Sequence, residues 1–374
     1  MSSWSPQQDG AFKAVQTWLA DPNGSQVFRL FGYAGTGKTT LAREMAGQVK
    51  GRVVFAAFTG KAAYVMKQKG CSNATTIHSL IYKLDDEDYS GQPTFKLNPE
   101  SDIASAALVI IDEVSMVGED LAKDLLSFGS RVLVLGDPAQ LPPVKGQGYF
   151  TDAEPDVMLT EVHRQAKESP IIRLATDIRE GRSFSLGGDE NCRVIPWSAA
   201  VAEVTLGHDQ ILCGKNVTRH RMNQRVRKLK GITSEMPVIG EKLVCLRNDR
   251  IKKLLNGSLW KIHSVPERQS KKDNIENCFC FEVVPEDIET EATGLRVRVK
   301  NEFWNGTDAD LQYTDKRGTE EFTFGYALTC HKSQGSQWDS VIVFDEAAVF
   351  REDAWRWRYT AVTRAAKRLT MVIA

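Results

Sequence analysis

The sequence has no excess of charge of either sign: 48 lysines and arginines face 48 aspartates and glutamates. No global basic field therefore advertises nucleic acid, although a nucleic-acid groove needs only a local stripe of Lys and Arg. The seven cysteines are odd in number and contain no C-x-x-C. That argues against a disulfide framework or a zinc knuckle and suits a reducing cytosol. No run approaches the ~20 apolar residues of a membrane span. The Met-Ser-Ser-Trp start lacks the basic and apolar regions of a secretory signal. A cytoplasmic chain with no membrane partner is expected, in a bacterial or phage-infected cell. Repeats and low-complexity tracts are also missing. What is present is ordinary for a soluble globular protein: 42% apolar and 26% charged residues. A length of 374 residues predicts two or more domains.

One loop organises the rest. Gly32-Tyr33-Ala34-Gly35-Thr36-Gly37-Lys38-Thr39 fits the nucleotide-cradling pattern G-x-x-x-x-G-K-[ST]. Residues 26–31 read as a buried strand before it, and 39–49 as a helix after it. Strand, glycine loop and helix are the context the motif needs. The glycines let backbone N–H groups curl around phosphates, and the helix N-terminus adds a positive dipole end. Gly35, Thr36, Gly37, Lys38, Thr39 and Thr40 are the expected nucleotide contacts. Lys38 would reach the β- and γ-phosphates, and Thr39 would hold Mg²⁺. A chance glycine-rich turn is the plain alternative, and a second nucleotide motif downstream weakens it. There the apolar run 106–111 ends in Asp112-Glu113. Asp112 would hold Mg²⁺ through water, and Glu113 would orient and deprotonate the attacking water.

Upstream, Ser5 and Pro6 read as the N-cap and first residue of a helix. A glutamine amide there offers one donor and one acceptor to adenine; Gln8 is favoured over Gln7. Residues 52–58 form a second apolar strand, ending in Thr59-Gly60-Lys61-Ala62-Ala63. Ligands bind beyond strand C-termini in open α/β sheets, so this segment is placed beside the glycine loop. Residues 81–97 look like an inserted β-hairpin with an acidic, turn-rich middle. After the strand 131–135, Gln140 could sense a γ-phosphate, or Asp137-Pro138 could be a plain turn. Residues 216–230 form a basic helix whose apolar face has helical spacing. It reads as a solvated face or, more sharply, as phosphate contacts along a nucleic-acid track. Short alternating strands between 240 and 299, with the turn signal Asn256-Gly257, predict a small β-barrel insertion. The α/β pattern is expected to resume at Phe322. Two α/β blocks flanking insertions make Arg164 and Arg364 candidates to reach one lobe's nucleotide from the other.

Taken in order, these stretches resemble superfamily 1 helicases, most closely the RecD and Dda branch, which moves 5′→3′ on single-stranded DNA. The resemblance runs through Gln8, the glycine loop, Thr59–Ala63, Thr75–Ser79, Asp112-Glu113, Gly136–Gln140, Arg164, Thr329–Ser336 and Val362-Thr363-Arg364. It covers nearly the whole chain. It implies an α/β fold of two RecA-like P-loop lobes with a small β-hairpin in the first and an SH3-like β-barrel in the second. The implied division is 1–165 for lobe 1A with the 81–97 pin insertion, 166–235 with 322–374 for lobe 2A, and 236–321 for the barrel. The resemblance also implies roles. Gln8 reads adenine, Gln140 couples the γ-phosphate to DNA, and Arg164 and Arg364 are arginine fingers beside Lys38 and Glu113. Thr59, Gly60, Lys61, Thr76, His78, Ser79, His331, Lys332 and Ser333 become DNA contacts. A lone His is more often structural, and the resemblance revises that reading for His78. Tyr89 or Phe95 becomes the strand-separating wedge. One position departs from the family: Gln337 stands where a Glu often contacts the nucleotide sugar.

The expectation is a monomeric helicase using ATP and Mg²⁺ on single-stranded DNA and single-/double-strand junctions, with single-strand-binding or replisome proteins as partners. Its rivals are a single-strand translocase that strips proteins but unwinds poorly, a nucleotide-gated loading module, and a small-molecule P-loop kinase.

Overall fold

The computed structural model describes residues 4–87, 93–143, 146–161, 169–249, 251–268, 277–286 and 294–374. Its chain builds two mainly parallel sheets, an antiparallel sheet and a hairpin. Arg164 and Tyr89 lie outside the described residues.

The first sheet takes its strands from β1 (Val27–Gly32), β2 (Val53–Ala57), β3 (Thr75–Thr76), β6 (Leu108–Asp112), β7 (Val132–Gly136) and β8 (Val157–Leu159), in the order β3-β2-β6-β7-β1-β8. All of these pairings are parallel. Both faces are covered, so the central strands read as continuous apolar runs: every residue of β6 and β7 is buried. Parallel strands all end on one side. The loops after β1, β2, β3, β6 and β7, which carry most of the first-half motifs, therefore share one edge. Between β3 and β6, β4 (Tyr82–Glu87) and β5 (Pro93–Leu97) pair as an antiparallel hairpin.

The second sheet comprises β9 (Gly187–Gly188), β10 (Cys192–Pro196), β11 (Gln210–Cys213), β18 (Ala327–Thr329), β19 (Trp338–Phe344) and β20 (Ala365–Ile373). Its order is β18-β11-β19-β20-β10-β9, parallel except for β9 against β10.

The antiparallel sheet joins β12 (Lys242–Cys245), β13 (Leu259–Ile262), β14 (Glu267–Arg268), β15 (Cys278–Pro285), β16 (Leu295–Lys300) and β17 (Phe322–Phe324). Here the sequence reading needs a correction. Phe322–Phe324 does not reopen the parallel pattern; it pairs antiparallel with β12. The parallel sheet resumes only at Ala327. The apolar spacing of 322–329 is continuous across both strands, and Gly325 lies against the backbone of Leu243 at the joint. Cys278-Phe279-Cys280-Phe281 is buried throughout: Phe279 and Phe281 fill a core with Trp260 and Trp304, and the cysteines fill the other face.

A buried ion pair fastens this sheet to the basic helix Asn216–Leu229. Arg227 Nε donates to Glu241 Oε1 at 2.8 Å, and both side chains are nearly inaccessible. The guanidinium also lies 4.3 Å from the Phe324 ring centroid.

Candidate nucleotide site and nucleic-acid interface

The glycine loop leaves β1 and enters the helix Lys38–Ala46. Gly35 and Gly37 take φ of +80° and +78°, a region where a Cβ clashes with the backbone. Lys38 Nζ donates to the carbonyls of Gly32 (2.6 Å) and Tyr33 (3.1 Å). The hydroxyl of Thr39 donates to Asp112 Oδ2 at 2.7 Å. Asp112 Oδ1 accepts the N–H of Glu113 at 2.8 Å. A hydroxyl and a carboxylate side by side at the phosphate end suit Mg²⁺, which takes few protein ligands and completes its shell with water and phosphate oxygens.

Glu113 itself is held at φ 56°, ψ 45°, an uncommon conformation for a residue with a side chain. Burial pushes its carboxyl above the usual carboxylate range. The charges of Arg364 and Lys38 pull it down, and those of Asp112 and Asp137 push it up. A carboxylate raised in this way is a better proton acceptor near neutral pH.

These groups line a cleft of about 550 Å³. Across it stand Gly335, Ser336, Gln337, Thr363 and Arg364 from the second α/β unit. The Arg364 guanidinium is buried and fixed on three sides: to Thr360 O (3.1 Å), Ser336 O (3.2 Å) and Thr363 Oγ1 (3.2 Å). Gln140 lines the cleft from the loop after β7, with its Oε1 buried and without a hydrogen-bond partner. Such an orphaned acceptor is costly and suits a group that meets its partner on the nucleotide.

Gln8 behaves differently from the sequence reading. It forms a capping box with Ser5 and donates from Nε2 to Thr36 O at 3.1 Å, bracing the glycine loop from behind. It is buried and does not line the cleft; Trp4, Val65 and Lys69 do. Gln7 engages Thr160 and Glu161 through its amide. The sequence offers one signal for Trp4, its place just ahead of the Ser5 cap.

The segments expected to meet DNA share one construction. Thr59, Thr76 and Thr329 each N-cap a helix at the end of a parallel strand, accepting the N–H of Ala62, Ser79 and Lys332 respectively. Their hydroxyls shape the loops, and the helix N-termini they finish are anion-friendly. Lys61, His331 and Lys332 line one small pocket together with Thr59, Asn256 and Gly257. This joins both parallel units and the antiparallel sheet at one place. Gly335 crosses the same boundary: a Cβ there would sit 2.9 Å from Ala62 Cβ. Lys332 Nζ donates to Asn256 Oδ1 at 2.9 Å. Burial, then the charge of Arg219, pulls its ammonium below the usual lysine range. Arg219 Nε is buried and has no partner among the described residues, so its charge acts on Lys332 while Lys332 itself rests on a neutral acceptor. Burial likewise favours neutral His331. Ser333 is fully buried, its hydroxyl on Cys330 O, and so supports the loop from inside. His78 packs against Tyr82 and edge-on to Phe95, with centroids 4.6 and 4.8 Å away.

Two family models match the chain: an AAA domain over residues 5–189 and a UvrD-like helicase C-terminal domain over 324–372. The two models fall on the two halves of the cleft. The chain belongs to the superfamily 1 helicases, in their RecD/Dda-like branch. It is 28% identical over 376 aligned residues to the ATP-dependent RecD2 DNA helicase of Deinococcus radiodurans, covering 92% of this chain and 46% of that protein. It is 34% identical over 166 residues to the ATP-dependent DNA helicase dda of phage T4, covering 40% and 37%. The chain thus spans less than half the length of either relative. Its fold is similar to that of Pif1 helicases. A structure concerning unwinding at forked double-stranded DNA gives a TM-score of 0.59 at 18% identity, covering 99% of this chain and 92% of the other. Bacteroides Pif1 bound to single-stranded DNA gives 0.58 at 17% identity, with the same coverage.

Asn256 at this pocket and Arg219, whose charge acts on Lys332, are residues to which the sequence reading gives no individual role. In the sequence Asn256 is half of a turn signal, and Arg219 is one cation among many on a basic helix. Neither carries a local pattern that separates it from its neighbours.

Proposed function

We propose that the protein is an ATP-dependent DNA helicase that moves 5′→3′ on single-stranded DNA and separates duplex strands. The observation that supports it best is one cleft shared by Lys38, Thr39, Asp112, Glu113 and Gln140 on one side and Arg364 on the other. A nucleotide with Mg²⁺ would fit between them: Thr39 and Asp112 would hold the metal, which would neutralise phosphate charge. Lys38 would leave the Gly32 and Tyr33 carbonyls for the phosphates. Glu113 would take the proton of the attacking water. Arg364, already fixed by three hydrogen bonds, would answer the charge that develops in transfer. Arg164 is the proposed second finger. Closing and opening of the cleft would alternate the grip of Thr59–Lys61 and Thr76–Ser79 against that of His331 and Lys332 on the strand, with Ser333 shaping that loop from inside. The proposed division is two RecA-like lobes, 1–165 and 166–235 with 325–374, and an SH3-like insertion from 236 that keeps Phe322–Phe324 in its antiparallel sheet. The enzyme would act as a cytoplasmic monomer.

One observation favours the translocase alternative. Phe95 pairs with Leu84 near the base of the hairpin, and its ring lies against His78. In this reading Phe95 would touch a base rather than lead into a duplex, which would leave Tyr89 as the wedge.

The test is unwinding of duplexes with a 5′ or a 3′ single-stranded tail, with ATP and Mg²⁺, and with Lys38→Ala as control. Opening only of the 5′-tailed duplex, lost in the control, is expected. Opening only of the 3′-tailed duplex would overturn the polarity. ATP hydrolysis stimulated by single strands without opening of either would favour the translocase.

A further inference from the structure

The outer limb of the glycine loop is held by the opposite lobe. Tyr359 lies on the helix Ala354–Val362 of the second α/β unit and is 1% exposed. Its hydroxyl accepts the N–H of Ala34 at 3.0 Å and donates to Asp137 Oδ2 at 2.7 Å. One phenol thus joins the nucleotide loop, the loop after β7 that carries Gln140, and the helix that leads to Arg364. Neighbouring contacts run the same way. The guanidinium of Arg179, on the helix Pro170–Arg179, lies 3.6 Å from the Tyr33 ring centroid. The N–H of Leu141, next to Gln140, donates to Thr360 Oγ1 at 2.9 Å, and its carbonyl accepts from Gln334 Nε2 at 2.9 Å. Tyr33, Ala34, Ala139 and Leu141 accordingly pack with the core of the second unit, not with that of their own.

Resting on the helicase reading above, we propose that Tyr359 is a positioning residue of the ATPase site, which makes the posture of the glycine loop depend on the second lobe. The reasoning follows the charges. Asp137 is 2% exposed, and its hydrogen bonds come from the Tyr359 hydroxyl and the Ala139 N–H at 3.0 Å. Burial pushes its carboxyl up, and the nearby Lys38 ammonium is the largest influence holding it down. When Lys38 turns from the Gly32 and Tyr33 carbonyls to a phosphate, Asp137 loses part of that compensation. The Tyr359 O–H then carries more of the load on a buried carboxylate, where unanswered charge is expensive. Nucleotide binding and the seating of the helix before Arg364 are therefore one coupled event. DNA held by the second lobe can act on hydrolysis through the same hydrogen bond.

The test uses the 374-residue chain with Tyr359→Phe, Asp137→Asn and the double variant, alongside wild type and Lys38→Ala. Tyr359→Phe should lower the DNA-stimulated kcat by about tenfold, an ordinary size for coupling between sites. KM for ATP should stay within about threefold, the pattern of an interaction used in turnover rather than in binding. The double variant should be no worse than the more impaired single variant, as expected for two residues acting through one bond. Amide hydrogen exchange at Ala34 should quicken in Tyr359→Phe. That readout needs no activity, so it separates failure of this proposal from failure of the helicase reading, which would appear as wild type hydrolysing no ATP. If Tyr359→Phe fails to fold, Asp137→Asn alone should show the fall in stimulated kcat. Unchanged stimulation in a folded variant, additive losses, or unchanged exchange at Ala34 would overturn the proposal.

Discussion

Replacing Glu113 with Gln tests the chemical core of the site. The substitution keeps size and backbone, so the φ 56° conformation and the Glu113 N–H bond to Asp112 are retained. It removes the ability to accept a proton, together with the carboxylate's charge. General-base catalysis is worth about 10²–10⁴ in rate, which corresponds to roughly 2.7–5.4 kcal/mol of barrier. Single-turnover hydrolysis of ATP should slow by that factor, while equilibrium binding of ATP should hold within about threefold. The pH profile gives an independent check. The base works only when ionised, so activity falls as pH drops through its pKa. Burial raises that pKa, so the acid limb should lie above the range of an exposed carboxylate. Arg364 and Lys38 both pull it down, Arg364 more strongly. Arg364→Ala should therefore move the limb further toward alkaline pH, beyond any loss of maximal rate. A Glu113→Gln rate within about fivefold of wild type would refute the general-base role. An acid limb unmoved in Arg364→Ala would refute the electrostatic link.

Other predictions follow from packing and charge. Glu241→Ala should strand the buried Arg227 guanidinium and cost about 3–5 kcal/mol, whereas replacing both partners by apolar residues of similar volume should restore most of it; urea unfolding followed by fluorescence would show whether the pair recovers. Lys332→Met should weaken single-stranded DNA binding and reduce the slope of log K against log salt by about 0.7 for each phosphate that the lysine neutralises, which a salt titration of binding measures. Phe95→Ala should weaken that binding by about 1–3 kcal/mol if the ring stacks on a base. A loss of unwinding without loss of single-strand affinity would instead make Phe95 part of a wedge.

The nucleotide half of the site is legible in the sequence because phosphate binding depends on backbone shape, which glycine spacing reports directly. Gly35 and Gly37 adopt the positive φ that their motif requires, and Asp112 closes on Thr39. The strands of the first sheet are legible for a related reason: continuous apolar runs fit strands covered on both faces. Side-chain duty is less legible. Gln8 has the donor and acceptor that adenine would take, but its amide caps its own helix and braces Thr36. Thr59 and Thr76 stand in segments expected to meet DNA, but their hydroxyls cap helices. A polar side chain announces hydrogen-bonding capacity in the sequence, not the partner that will take it. The boundary at Phe322 is misplaced because two short apolar strands, one antiparallel and one parallel, follow each other with only Gly325-Tyr326 between them.

The least legible part is the joint between the lobes, and its physical character explains why. Tyr359, Thr360, Gln334 and Arg179 reach across to Ala34, Leu141 and Tyr33 through single hydrogen bonds and one ring contact. None of these has a local spacing to reveal it, because donor and acceptor lie between 146 and 325 residues apart. Yet they decide how the site can work. A loop held only by its own lobe would bind nucleotide indifferently to the other. Here the residues before the phosphate-binding turn, and those beside Gln140, pack with the second lobe's core. On the proposed mechanism, opening the cleft would strain or break hydrogen bonds at Ala34, which lines the cleft, and at Leu141, next to Gln140. A ligand can shift such an equilibrium only by the difference in its affinity for the two arrangements. With the joint on Tyr33 and Ala34 of the glycine loop, a movement of the second lobe would shift the proposed phosphate cradle, and the two arrangements would then differ in nucleotide affinity.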